Sequence, residues 1–177
     1  MFPSGQHVWV REYIRELPDF PKKGVLFRSL APLLANPKAR ERMQEAFRDR
    51  YQEAPIDAVV GIASRGFVWA TLIATVLEKP LVLACKKGKL PPPVVACTYE
   101  LEYGSDCLEM EETSRYAGKN LLIVDDLLAT GGTAKACTTL VEALGGKVWE
   151  IAVILDLSDL PWREILRDYP TYSLLSV

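Results

Sequence analysis

With 177 residues, 49% of them hydrophobic, the chain fits one domain with a sizeable core, and its formal net charge of −2 argues against a general nucleic-acid surface. A small anion is not excluded, because local basic clusters rather than net charge would hold it. No apolar run is long enough to span a bilayer, Met1-Phe2-Pro3 carries no signal-peptide pattern, and Cys85, Cys97, Cys107 and Cys137 lack metal-like spacing, so a cytoplasmic protein with reduced thiols and no membrane partner is expected.

Val8–Leu17 reads as a short amphipathic helix ended by Pro18, and the lone histidine, His7, as unremarkable polar surface. Phe20-Pro21-Lys22-Lys23-Gly24 is turn-rich, and Val25-Leu26-Phe27-Arg28 continues as an apolar strand with no chemistry of its own. Pro37–Ala54 has helical spacing, with Met43, Ala46 and Phe47 on one side and charges opposite. Asp57–Ile62 then reads as a buried strand and Gly66–Glu78 as a helix. Between them lies Ala63-Ser64-Arg65-Gly66-Phe67, a strand–turn–helix junction that suits an anion through backbone donors and one guanidinium, though an ordinary turn would read the same.

Leu81–Cys85 is a short strand, followed by Lys86-Lys87-Gly88-Lys89-Leu90-Pro91. Three ammonium groups around a glycine suit a polyanion, and by themselves also suit a solvated loop. Thr98–Leu101 and Cys107–Met110 are extended pieces joined through Tyr103-Gly104-Ser105-Asp106, a flap-like hairpin. Strand alternation puts Glu100 and Glu102 on one face and Tyr99, Leu101 and Tyr103 on the other.

The most informative stretch comes next. The apolar run Lys119-Asn120-Leu121-Leu122-Ile123 leads into Val124-Asp125-Asp126-Leu127-Leu128-Ala129-Thr130-Gly131-Gly132-Thr133, and Ala134–Val141 reads as a helix. Two carboxylates at a strand's carboxyl end are paired acceptors for vicinal hydroxyls. The helix start behind Gly131 and Gly132 leaves N–H groups unpaired for a phosphate, aided by the hydroxyls of Thr130 and Thr133. This describes a ribose phosphate site. Neither the nucleoside-triphosphate loop nor the dinucleotide glycine fingerprint is present. Val148–Leu155 (strand), Pro161–Arg167 (helix) and Ser173–Ser176 (strand) complete a single α/β domain, a doubly wound, mostly parallel sheet with helices on both faces. The hairpin and the amino-terminal stretch fall outside that alternation.

These motifs, in this order, resemble the type I phosphoribosyltransferases, and their wording is most similar to the adenine phosphoribosyltransferase branch, from roughly Ile14 to Val177. The resemblance implies transfer of 5-phosphoribosyl from phosphoribosyl pyrophosphate (PRPP) to adenine, giving AMP and pyrophosphate in purine salvage. It implies a homodimer, and Mg²⁺ bound mainly through PRPP with no metal ligands from the protein. Asp125 and Asp126 would hold the ribose, and Ala129, Thr130, Gly131, Gly132 and Thr133 the phosphate. Ser64, Arg65, Lys86 and Lys89 would hold pyrophosphate. Leu26 and Phe27 would sandwich the base under a hood formed by about residues 1–35. Glu102 would manage a purine proton and Tyr103 would close over the centre, on a flap of about residues 91–112. Three positions depart from the family pattern: Ser29 and Ala63 stand where acidic residues are usual, and Cys85 stands where an arginine is expected. Those departures leave open a PRPP- or nucleotide-binding regulator, or a transferase for guanine or xanthine.

Overall fold

The computed structural model describes residues 7–101 and 104–177. A 3-10 helix at Val8–Tyr13 leads into β1 (Arg15–Leu17), which pairs antiparallel with β2 (Phe27–Ser29). The helix expected over Val8–Leu17 is therefore cut in two. Its second half is pulled into a ribbon by partners ten to fourteen residues further along, a contact that local periodicity does not register. His7 is half-buried rather than plain surface, its Nδ1 accepting from Trp9 Nε1 at 3.4 Å. Burial, then the charge of Arg42, lowers its pKa.

Two helices follow, α1 (Ala31–Ala35) and α2 (Pro37–Tyr51), each with proline in its first turn. Asn36 caps the second by accepting from the Ala39 N–H at 3.0 Å. The remaining strands and α-helices, with a 3-10 turn at Ser114–Tyr116 between β6 and β7, are β3 (Ala58–Ile62), α3 (Gly66–Val76), β4 (Leu81–Lys86), β5 (Val94–Leu101), β6 (Gly104–Glu111), β7 (Asn120–Leu128), α4 (Gly132–Ala143), β8 (Lys147–Asp156), α5 (Trp162–Ile165) and β9 (Thr171–Ser176). α1 and the 3-10 turn were not expected; the strands and helices from β3 onward match the sequence reading to within about five residues at each end.

The main sheet has seven strands in the order β5-β6-β4-β3-β7-β8-β9. β4, β3, β7, β8 and β9 run parallel, and β5 and β6 are antiparallel additions at one edge. The hairpin is thus part of the sheet, joined through Cys85↔Glu109 and Lys86↔Leu108. Its pairing continues to Leu101↔Gly104, so Gly104, Ser105 and Asp106 are strand residues rather than the connection.

Met43 and Phe47 of α2 and Trp69 and Ile73 of α3 pack one face, while Cys137, Leu140 and Val141 of α4 pack the other. α3 sits directly on β3: a Cβ at Gly61 would lie 2.7 Å from that of Ala70. The far end of α2 is tied down by Arg50, which donates to both Glu150 oxygens at 3.0 and 2.7 Å, with Tyr51 donating to the same carboxylate. That buried charge is therefore paired and satisfied. No helix among the described residues is long and apolar enough to cross a membrane.

The strand order reverses between β3 and β7. After β3 the chain steps to one side to form β4, then returns past β3 to form β7. The crevice at the carboxyl ends of those two strands is where such sheets bind ligands, and both motif loops open there.

Candidate active site

β7 runs through the acidic pair to Leu128, so Asp125 and Asp126 lie within the last four residues of the strand, at its carboxyl end as expected. Ala129 and Thr130 lead to Gly131, whose φ of +88° breaks from the extended chain and sets the direction of α4. A Cβ there would also lie 3.2 Å from Trp162 Cα. The left-handed φ favours glycine, and Trp162 leaves little room for a side chain. α4 begins at Gly132, two residues before the expected start, which brings Gly132 and Thr133 into its first turn. No side chain caps this end, so its leading N–H groups and the positive end of the helix dipole face a cavity of about 80 Å³. Asp125, Ala129, Thr130, Gly131 and Thr133 line that cavity.

The carboxylates do not act as a simple pair. Alternation along β7 turns them to opposite sides, so Asp125 borders the cradle and Asp126 borders a second cavity. Asp126 is buried and its Oδ2 lies 2.7 Å from Arg65 Nε. Asp125 is packed under the start of α3, where a Cβ on Gly66 would come within 2.7 Å of its Oδ1. That same Oδ1 accepts the Asp126 N–H at 2.8 Å. Burial, and then the negative charge of Asp126, hold the Asp125 carboxyl above the ordinary carboxylate range. The two carboxyls are therefore unequally placed: Asp126 is ion-paired with Arg65, whereas Asp125 is packed beneath α3 with its pKa raised.

The second cavity, about 180 Å³, lies between β2, α1 and α3. Phe27, Ser29, Leu30, Ala31, Leu34, Val68 and Trp69 wall it, with Arg65 and Asp126 at its mouth. The Arg65 guanidinium lies 5.7 Å from the centre of the Phe27 ring. Leu26, next to Phe27, is exposed and does not border the cavity. Ser29 Oγ accepts from the Ala31 N–H at 3.3 Å, a contact at the start of α1 that a short acidic side chain would also make. Ala63 is half-buried and Ser64 exposed in the turn before Arg65, and the Ala63–Ser64 peptide is cis. A larger opening of about 590 Å³ lies at the other ends of the strands, against Trp149, Pro55 and Pro170, and contains none of these residues.

The basic loop opens from the end of β4. Lys86 is not free: its Nζ donates to Asp106 Oδ2 at 2.5 Å and to the Tyr99 hydroxyl at 2.7 Å. Burial works against the Lys86 charge, but those bonds outweigh it and its pKa is raised. The bond from Lys86 in turn lowers that of Asp106. Lys87 and Lys89 are exposed. The Gly88 N–H donates to Glu109 Oε2 at 2.8 Å. Cys85 is buried, and burial, then the Glu109 charge, raise its thiol pKa. Sequence reasoning gave Asp106 no role; the signal was the cross-strand pair Tyr99↔Asp106, hidden by placing the hairpin connection too far along the chain, at residues 103–106. Glu102 and Tyr103 lie outside the described residues. Among the described residues no group of three or more His, Cys, Asp or Glu side chains could hold a metal.

An uncapped helix start and a walled cavity meet across two carboxylates at the reversal point of a parallel sheet, beside the Arg65 turn and the lysine loop. This is the architecture of a phosphoribosyl-handling domain. The family model for the phosphoribosyl transferase domain matches residues 29–176, and the chain belongs to that family. Within it, the chain is 40% identical to the adenine phosphoribosyltransferase of Halothermothrix orenii over 94% of this chain and 98% of that protein. It is 44% identical to that of Desulfosudis oleivorans over 92% and 94%. In structure it is similar to adenine phosphoribosyltransferase from Saccharomyces cerevisiae, solved with adenine and an imino-altritol bisphosphate (TM-score 0.90, 36% identity, 96% of this chain and 98% of that one). The enzyme from Thermoanaerobacter pseudethanolicus matches with a TM-score of 0.91 at 38% identity, covering 97% of this chain and 100% of the other.

Proposed function

We propose that this chain transfers the 5-phosphoribosyl group of PRPP to adenine, giving AMP and pyrophosphate, a purine-salvage reaction. The observation that carries the reading is the meeting of the cradle and the walled cavity across Asp125 and Asp126, in a chain whose relatives are adenine phosphoribosyltransferases. A 5-phosphate on the N–H groups at the start of α4 directs the ribose across the acidic pair, and the base then falls against Phe27. Leu26 would cover the second face of the ring. Residues 1–35 act as the hood and 91–112 as the flap.

Loss of pyrophosphate leaves positive character on the anomeric carbon. The negative charge on Asp126 stabilises it, while Arg65, Lys86, Lys89 and the Ser64 turn receive the leaving group. Mg²⁺ supplies charge neutralisation when bound, and two carboxylates are too few to cage it, which fits a cation carried by the oxygens of PRPP. Glu102 accepts the purine proton and Tyr103 covers the centre, excluding water. A second copy of the chain is expected to cover the exposed apolar side chains Val68, Leu81 and Leu83 on α3 and β4, giving a homodimer. The cytoplasm, where the substrates are made and thiols stay reduced, is the expected location.

The test is incubation with PRPP, Mg²⁺ and adenine, guanine or xanthine in turn, measuring nucleotide and pyrophosphate. Equal amounts of AMP and pyrophosphate from adenine alone are expected. PRPP binding without turnover would mean a regulator instead, and turnover confined to another base would replace the substrate.

A further inference from the structure

Lys86 is the last residue of β4 and the first of the basic loop. A lysine is a flexible stem carrying three donors, and left free it would sample many positions. Here two of the three N–H groups are engaged, by Asp106 Oδ2 at 2.5 Å and by the Tyr99 hydroxyl at 2.7 Å. Among the described residues nothing takes the third. The two anchors come from the two strands of the hairpin, directly opposed in register. Both are themselves held. Asp106 Oδ1 accepts the Cys107 N–H at 2.7 Å, and the Tyr99 ring is buried. The other edge of that ring faces the phosphate cradle: a Cβ on Gly132 would lie 3.9 Å from Tyr99 Cδ2. One tyrosine therefore spans from the cradle to the ammonium group.

We propose that Asp106 and Tyr99 are positioning residues for the transfer reaction, clamping Lys86 so that its remaining N–H is presented to the pyrophosphate group of PRPP. The inference rests on the reaction assigned above. A stem held before substrate arrives loses less entropy on binding, which favours PRPP. The carboxylate also has an opposing effect, since a negative charge beside the ammonium weakens its pull on an incoming anion. The two effects predict opposite signs for removal of Asp106. The geometry favours the clamp, because each anchor is fixed independently of Lys86.

The experiment is a double-mutant cycle on the full chain, with PRPP affinity read by calorimetry in Mg²⁺ and KM and kcat read for both substrates. Asp106→Ala is expected to weaken PRPP binding about tenfold, as for loss of one charge-assisted contact, and to leave the KM for adenine within about twofold. Lys86→Ala should cost at least as much, and the double variant no more than Lys86→Ala alone. Asp106→Asn keeps an acceptor oxygen and should recover most of the loss. Tyr99→Phe keeps the ring against Gly132 and should weaken PRPP binding only when Lys86 is present. The conservative pair carries the test if an alanine variant fails to fold. Tighter PRPP binding by Asp106→Ala, additive losses in the cycle, or equal losses for PRPP and adenine would each overturn the clamp. If the wild type still converts PRPP and adenine to AMP, the reaction stands without it. A wild type that binds no PRPP overturns both.

Discussion

Gly66 is the position at which stability and function meet most closely, and Gly66→Ala is the sharpest perturbation of the site. The added methyl would come 2.7 Å from Asp125 Oδ1, 3.0 Å from the Val124 carbonyl oxygen and 3.2 Å from Asp125 Cα. Two of these neighbours are main chain of the central strand, locked by pairing such as Gly61↔Val124. The third is held by the Asp126 N–H at 2.8 Å. Relief must therefore come from α3, whose first turn would move off β7 and carry Arg65 with it, stretching the 2.7 Å contact to Asp126. Overpacking of this kind costs about 1–3 kcal/mol, against at most about 1 kcal/mol gained by replacing glycine in a helix. The clash wins, and a net loss of about 1–2 kcal/mol is expected. A urea titration should show it as a lower midpoint with an unchanged slope. PRPP affinity by calorimetry should fall about tenfold, equivalent to about 1.4 kcal/mol, because both carboxylates and the guanidinium are displaced together. A variant with wild-type midpoint and wild-type PRPP affinity would refute the reasoning.

Asp125→Asn should stabilise the fold while weakening PRPP binding. The folded carboxyl has its pKa raised above the unfolded value near 3.8, so the wild type loses stability as pH climbs from 3.8 toward the raised value. The variant's advantage in thermal melts should vanish below pH 3.8 and grow above it, and an advantage of constant size would contradict this. Gly132→Val should abolish AMP binding in a fluorescence or calorimetric titration without unfolding the domain, since the nearest atom to a Cβ there is the Glu100 carbonyl oxygen at 3.4 Å, an ordinary contact. Glu102→Gln keeps shape but cannot take a proton, so kcat should fall about 10²–10⁴-fold with little change in PRPP binding. Glu100→Gln, on exposed β5 surface, serves as its control, and equal losses at both positions would point to hairpin stability instead.

The amino-acid sequence by itself determined the α/β architecture and where the loop between β7 and α4 falls. Its buried strands are continuous apolar runs, its turns carry glycine where backbone must change direction, and the candidate phosphate loop is one contiguous stretch from Asp125 to Thr133. Such features are local, so residue type and spacing reveal them. Tertiary structure alone decided what depends on partners distant in the chain. Arg15–Leu17 is strand because it pairs with Phe27–Ser29, and the hairpin is sheet because β6 reaches β4. Asp125 and Asp126, adjacent in sequence, face different cavities because a strand alternates its side chains. Their unequal surroundings follow from Gly66 closing over one and Arg65 pairing the other. Lys86 and Asp106 meet across twenty residues only through the register of two strands. An ammonium, a carboxylate and a phenol carry no directional signal in sequence; their bonds exist only once the backbone has brought them within reach.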